Sequence, residues 1–475
     1  EITFFTAPRL TDLFIYLLSL RTPLLTYTKV MKTENSRTTG ALMLLYNIVV
    51  FVIYILTSVP LLVRMIRKKG SLHRFFDRLG FYPRKITSKI NSTSQQRIWI
   101  HAVSLGETQV ALKLMKEFKH QDSSMVFIIS VTTWTAWEMA SKAIQNNPES
   151  PDVLVLYPMD SVCVVRRAIR RLKPSAIVVV ETEIWPNFIY NASRLGIPLY
   201  LTNARMSESS VRGYYRSKFF FGHIFRCISH VYAQSAQDAE RFGKAGVPKE
   251  CISVGNSFKF DMPDRNTDKE KELREWIGEG EILLGGSIWP EEECVLLKAF
   301  NKLKPYHPDL KLVLVPRHAT NTAEIVRHVR SSRLAYCLRS SGEKPEPGTD
   351  VFICDTMGEL TSLYSAATVV FVGKTLCEHG GQNMIEACAF GKPVIVGPYT
   401  ENFRQVMNIL LQGNALVQIP AADAGELEDS VCNGIIRLFD EPMAAAEMGH
   451  RAEMVVQTNV GSVTDCVKDI IGRLS

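Results

Sequence analysis

Proton transfer and phosphate binding need carboxylates, guanidinium groups and bare backbone amides at fixed points, and this sequence places such residues at the ends of short apolar runs. The segment HAVSLGET leads into TQVALKLMKEFK, with Ser104 and Glu107 three residues apart. That spacing has two readings. In one, Ser104 and Glu107 form a capping box and Glu107 only satisfies a helix start. In the other, the helix dipole keeps Glu107 ionised, Gly106 leaves the backbone bare, and the carboxylate serves as a general base. A second run, VVVETEIWPN, sets Glu181 and Glu183 beside Trp185 and Pro186. Those carboxylates either touch a substrate or orient Arg205 of the segment NARMS.

The later half carries phosphate chemistry. ILLGGSIWPEEE turns through Gly286 and Ser287 into a helix start holding Pro290 and three glutamates. Bare amides at such a turn can hold a phosphate, while the acids argue for a plain acid-capped helix. LVLVPRHAT puts Arg317 and His318 at a run's end, where a guanidinium can clamp phosphate as a fork or simply form a surface ion pair. In EHGGQNMIEACAFGKPVIVGP, Gly380 and Gly381 precede a helix expected to begin near Gln382. Asn383 and Glu386 then lie one turn apart, and Gly391 closes the helix. The loop suits a nucleotide phosphate, with Glu386 accepting from ribose hydroxyls. No Asp-x-Asp pair ends a run and no carboxylates show metal-ligand spacing, so a leaving group that needs no metal, and no cofactor, is expected. The absence of a P-loop argues against ATP hydrolysis.

The elements that must position these residues alternate. RIWIHAV, SMVFIIS, SAIVVV and IPLYLT, then EILLGGS, LKLVLVPR, DVFICD, TVVFVG and KPVIVG, are separated by helical stretches, the mark of parallel βαβ units. A polar stretch interrupts the series. The sequence therefore predicts an α/β protein with two doubly wound, Rossmann-like domains, 64–261 and 279–475, joined by a linker over 262–278. Ligands of such sheets bind beyond the carboxyl ends of the strands, and a cleft between the halves would collect both sets of residues. With 475 residues, 46% hydrophobic and 22% charged, the chain is neither disordered nor collagen-like. The ten cysteines stand singly, without a CxxC pair, and read as reduced thiols.

Charge is concentrated in one place. Residues 64–90 hold nine basic side chains against Asp77 alone, a local +8 in a chain of net +7. This collar over a near-neutral body argues for an anionic surface as partner and against nucleic acid. It follows an uncharged run from Thr38 to Val63, long enough to cross about 30 Å of hydrocarbon as a helix. A buried helix of a soluble core is the alternative. The run is too long for a cleaved signal peptide. The positive-inside bias of Arg64, Arg67, Lys68 and Lys69, with Arg74 and Arg78 beyond, places a single-pass helix over 38–63 and sends everything after it to the cytoplasm. The same residues suit anionic lipid headgroups. Residues 1–37 form an N-terminal extension. Met31 opens a plausible start, so residues 1–30 read as an upstream extension or a processed presequence.

Taken in order, the apolar segment followed by HRFFDRLGF, then HAVSLGE, VVVETEIWPN, NARMS, VGNSFKFD, LVPRH and HGGQNMIEACAFGKPVIVGPYTENF resemble the Kdo transferases of glycosyltransferase family 30. The resemblance runs from about Met43 to the end. It implies an inverting GT-B enzyme at the inner membrane that moves 3-deoxy-D-manno-oct-2-ulosonic acid (Kdo) from CMP-Kdo to lipid A precursor. Domain 64–261 would take the acceptor and 279–475 the donor. By the same resemblance Glu107 is the base and Glu181 supports the acceptor side. Gly286, Ser287, Arg317, His318, Gly380 and Gly381 would meet the donor phosphate, Asn383 and Glu386 the nucleotide, and Arg64, Arg67, Lys68, Lys69, Arg74 and Arg78 the acceptor at the membrane. Trp289, Lys374 and Cys377 stand where the family carries other residues. Two other classes remain open at this level: a GT-B enzyme with a UDP-sugar donor, and a non-catalytic membrane-anchored protein that binds sugar nucleotide or lipid.

Overall fold

The computed structural model describes residues 36–67, 76–92, 95–145, 152–261 and 266–474, with the backbone alone for 36–38 and 57–67. Residues 1–30, Lys68, Lys69 and Arg74 lie outside the described residues, and Arg64 and Arg67 enter only as helix backbone. The chain divides into two compact units, residues 1–258 with 461–475, and residues 259–460.

The first unit is built on β1 (Arg97–His101), β2 (Val126–Val131), β3 (Val153–Leu156), β4 (Ala176–Val180), β5 (Leu199–Ala204), β6 (His230–Ala233) and β7 (Ile252–Val254). They pair in the order β3-β2-β1-β4-β5-β6-β7, every pair parallel. Parallel neighbours require crossovers, and helices fill them on both faces. The strands are therefore buried on both sides and continuously apolar, as VFIISV of β2 is. Trp99 of β1 is fully buried, packs edge-on to Phe188 at 5.0 Å between ring centres, and donates its indole N–H to Ser130 Oγ at 2.8 Å. Burying an aromatic of this size contributes about 2–3 kcal/mol.

The second unit repeats the plan with β8 (Ile282–Ile288), β9 (Lys311–Pro316), β10 (Tyr336–Leu338), β11 (Val351–Ile353), β12 (Val369–Val372), β13 (Val394–Val396) and β14 (Val417–Gln418), ordered β10-β11-β9-β8-β12-β13-β14. In both sheets the winding reverses beside the first strand, between β1 and β4 and between β8 and β12. Those two reversals are the switch points where such sheets open a crevice at their carboxyl ends.

Two segments behave differently from the expectation. The stretch predicted as linker contains a helix, Thr267–Ile277, capped by Asn266, whose side chain accepts from Lys269 N at 3.0 Å. It buries Leu273 and Ile277, four residues apart on one face, and sets Trp276 edge-on to Phe352 at 5.3 Å, so it belongs to the second unit. The last helix, Ser462–Leu474, instead returns to the first unit. There Val463, Cys466, Val467 and Ile470 join the cluster around Ile98, Ile100 and Val110, and Tyr232 Oη donates to Asp469 at 2.6 Å.

Among the described residues one helix is long and apolar enough to cross a membrane, within Ser36–Arg67 over Thr39–Leu56. It is not apolar all round. Met43, Tyr46 and Val50 are buried, Tyr46 stacks on Phe220 at 5.6 Å, and Tyr46 Oη donates to Asp160 Oδ2 at 2.8 Å. Asn47 and Asn187 exchange amide hydrogen bonds at 3.1 Å, and Asp160 N donates to Tyr54 Oη at 3.0 Å. The spacing of 46, 47, 50 and 54 marks a narrow stripe docked on the first unit. Leu44, Leu45, Ile48, Phe51, Val52, Ile55 and Leu56 form the exposed remainder.

Candidate active site

At the first switch point, β1 runs into the helix Leu105–Gln121. Ser104 is its N-cap, accepting from Glu107 N, while Ser104 Oγ donates to Glu107 Oε1 at 2.7 Å and Val103 N donates to Glu107 Oε2 at 2.8 Å. The capping box is therefore formed, and it aims the carboxylate back over the strand end with both oxygens fixed. Glu107 is 8% exposed. Burial, and then the charge of Glu181, push its pKa up, while the Val103 and Ser104 hydrogen bonds pull the other way. Burial and a like charge thus act against the helix dipole and the capping hydrogen bonds, and the net effect is a carboxylate more basic than usual.

Glu181 follows β4 with φ at +61°, an unusual conformation for a residue with a side chain. Its Oε2 accepts from Arg205 Nε at 2.9 Å, so Arg205 is its partner. Glu183 is buried and accepts from Trp185 Nε1 at 3.1 Å. His101, in the same strand as Trp99, is fully buried against Tyr157 at 3.8 Å, and burial pushes its pKa down to about 3. It is a neutral core residue.

At the second switch point the electrostatics reverse. Glu292, fully buried, accepts from Trp289 N at 2.8 Å, Lys374 N at 2.9 Å, Thr375 N at 2.9 Å and Leu376 N at 3.1 Å. One glutamate of the PEEE run thus ties the turn after β8 to the loop after β12. The Trp289 amide at the end of that turn is taken by this internal anion, and Gly380 N donates to Glu401 Oε2 at 2.8 Å. Gly286 lies inside β8, where a Cβ would come within 2.7 Å of Tyr364 Oη, so a side chain there would crowd that hydroxyl. Ser287 forms a bulge at φ +53°.

The second unit leaves cations over instead. Arg317 and His318 are exposed after β9, and the Arg317 guanidinium and the Ser287 hydroxyl have no hydrogen-bond partner among the described residues. Lys374, at φ +60°, has no ion pair among the described residues, and its Nζ sits 4.5 Å from the centre of the Trp289 ring. The other contact of that indole is His318 at 5.6 Å. Trp289 and Lys374, which the family resemblance leaves unaccounted for, thus stand beside the expected phosphate residues.

Gly380 and Gly381 adopt φ of +116° and +75°. The helix that follows begins at Ile385, later than expected, with Met384 at its N-cap, and Ile385 N donates to Asn383 Oδ1 at 3.2 Å. Glu386 accepts from Asn383 Nδ2 and from Thr361 Oγ1, both at 2.8 Å. Arg78, grouped by sequence with the membrane-facing cations, turns inward and donates to Thr132 O at 2.6 Å. Glu292, Thr361 and Glu401 carry no local motif. Glu292 meets a loop more than eighty residues away in the chain.

Two Rossmann-like sheets, each with a switch point at its carboxyl end, give the chain a GT-B-like fold. A glycosyltransferase from Rickettsia africae superposes over 80% of this chain and 99% of its own, with a TM-score of 0.52 at 15% identity. Residues 73–262 match the family described as 3-deoxy-D-manno-octulosonic-acid transferase (kdotransferase), and residues 294–431 match glycosyl transferases group 1. The Haemophilus influenzae 3-deoxy-D-manno-octulosonic acid transferase is 28% identical over 82% of this chain and 89% of its own length. An Arabidopsis thaliana protein named "Probable 3-deoxy-D-manno-octulosonic acid transferase, mitochondrial" is 30% identical over 70% of this chain and 76% of its own. The chain belongs to the Kdo transferase family.

Proposed function

We propose that this chain transfers Kdo from CMP-Kdo to a lipid A precursor with inversion at the anomeric carbon. Glu107 takes the proton of the acceptor hydroxyl as that oxygen attacks. The bond from the anomeric carbon to the phosphate oxygen breaks, and CMP leaves with the electron pair. The transition state is oxocarbenium-like, and charge gathers on the departing phosphate. Arg317, Lys374 and the Ser287 hydroxyl meet that charge, while Asn383 and Glu386 line the nucleotide side. A monophosphate ester needs less neutralisation than a diphosphate, which suits two side-chain cations. Glu181 positions the acceptor side through Arg205.

The observation that carries this reading is Glu107, a buried carboxylate at a switch point with both oxygens fixed and its basicity raised by burial and by Glu181. The apolar face of Ser36–Arg67 anchors the chain in the inner membrane, with both units on the cytoplasmic side, where anionic headgroups and a phosphorylated acyl acceptor are at hand. The test is the purified full chain with CMP-Kdo and lipid A precursor in detergent. CMP release and a Kdo-bearing lipid by mass spectrometry are expected. No release with this pair, or equal release from Glu107→Ala, would overturn the reading.

A further inference from the structure

Outside these switch points, the second unit gathers three metal-ligating side chains of mixed softness. The helix Glu292–Leu303 carries Glu293 and Cys294 in its first turn, and the helix Thr322–Ser331 carries His328. Glu293 Oε1 lies 2.7 Å from His328 Nδ1, Cys294 Sγ lies 3.5 Å from the same nitrogen, and the ligand atoms all fall within 4.8 Å of one another. Bonds of about 2.3 Å to sulfur and 2.0–2.1 Å to nitrogen at tetrahedral angles give a sulfur–nitrogen separation of about 3.5 Å, so the observed spacing needs little adjustment.

A plain Glu–His ion pair does not account for everything here. Glu293 is fully buried, and its second oxygen, Oε2, has no hydrogen-bond partner among the described residues. A buried carboxylate oxygen left in that state costs on the order of 1–3 kcal/mol or more. The local field is also one-signed. Glu291 and Glu292 precede Glu293 at the same helix start, and Glu324 lies in the first turn of the helix that carries His328. Four carboxylates around an exposed thiol make a poor site for a thiolate alone and a good one for a thiolate that binds a cation.

We propose that Glu293, Cys294 and His328 bind a zinc-type divalent cation, with a water in the fourth position. Binding replaces the Cys294 S–H proton, which leaves to solvent, and uses neutral His328 through Nδ1 with its proton on Nε2. Glu293 supplies an oxygen. Because Glu292, the preceding residue, ties together the loops after β8 and β12, the cation would brace that helix start. Sequence spacing missed the site because its ligands come from two helices more than thirty residues apart.

The experiment titrates metal-free full chain with Co²⁺ under reducing conditions and follows absorption. A thiolate-to-cobalt charge-transfer band saturating at one equivalent, and displaced by Zn²⁺, is the expected result. Cys294→Ser and His328→Gln should each abolish the band, and Cys294→Ser should also abolish the Zn²⁺-induced rise in melting temperature. Cys377→Ser should retain both. A wild-type chain without the band, or a band that survives Cys294→Ser and disappears in Cys377→Ser, overturns the proposal. Cys294 is exposed, so its serine variant folds under the same conditions.

Discussion

The two sheets share one winding plan, yet their switch points treat carboxylates in opposite ways. Between β1 and β4, Glu107 receives two hydrogen bonds and feels a second carboxylate, Glu181, and both burial and that neighbour raise its pKa. Between β8 and β12, Glu292 is more deeply buried and its pKa is also raised by burial, but four backbone amides converge on it and pull the other way. The first arrangement leaves a base under tension. The second consumes an anion inside the fold and leaves Arg317 and Lys374 without an ion-pair partner among the described residues. Non-glycine residues at positive φ sit at both ends, Glu181 in one and Ser287 and Lys374 in the other. Each costs on the order of 1–3 kcal/mol, and such strain persists where the surrounding structure over-determines it, as functional sites do. On the proposed function, the same topology supplies proton chemistry in one unit and anion binding in the other.

That contrast is sharpest in paired variants. Glu107→Gln keeps one acceptor oxygen for the capping box, so the helix should survive while the base is lost. A fall in kcat of about a thousandfold is expected, with CMP affinity unchanged by calorimetry. Glu292→Gln should do the reverse, because an amide NH₂ facing four N–H donors opens the loop of 374–376. CMP affinity should weaken by at least about tenfold, while kcat at saturating donor falls less than in Glu107→Gln. If the Glu107 variant loses CMP affinity instead, or the Glu292 variant binds CMP normally, the division of labour between the switch points is wrong.

Much of this was legible in the sequence because parallel sheets leave continuous apolar runs. Nine of the strands coincide with runs such as RIWIHAV and TVVFVG, and Glu107, Glu181 and Arg317 all stand at their carboxyl ends. The remaining strands, β3, β6, β7, β10 and β14, of two to four residues each, were not picked out as apolar runs. Nor was the role of Glu292. Three adjacent glutamates read as repelling a phosphate, and only the fold reveals that one of them is spent on amides from a distant loop. The docked stripe on Ser36–Arg67 was hidden for another reason: tyrosines count as apolar in a hydropathy reading, yet Tyr46 and Tyr54 act here through their hydroxyls.

A smaller effect tests the coupling within the first switch point. The Glu181 charge is the second cause of the raised Glu107 pKa, after burial. Glu181→Gln keeps an oxygen for Arg205 and removes that charge. Glu107 should then titrate at lower pH, and the acid limb of kcat/KM against pH should move in the same direction. An acid limb that stays in place would mean that another group governs it.

The smallest effect concerns a third buried carboxylate, remote from the chemistry. Asp160 accepts from Tyr46 Oη at 2.8 Å, Asn187 N at 3.1 Å and Phe188 N at 2.9 Å, joining the apolar helix to the helix Pro186–Arg194 that follows Glu183. Burial pushes its pKa up to about 6, against those hydrogen bonds. In the unfolded chain an aspartate titrates near 3.9, so between about pH 4 and 6 the folded state holds the extra proton. Stability from this group is therefore fully present below about pH 4 and is lost as pH rises through 6, by roughly 3 kcal/mol for a shift of about two units. Asp160→Asn removes the titration, and it removes charge-assisted hydrogen bonds only above about pH 6, where Asp160 is ionised. The wild-type minus variant difference in urea unfolding free energy should therefore fall across that window and stay level above it. A level difference throughout would show that Asp160 ionises freely, and that the apolar helix is held by its packing stripe of Met43, Tyr46 and Val50 rather than by this buried acid.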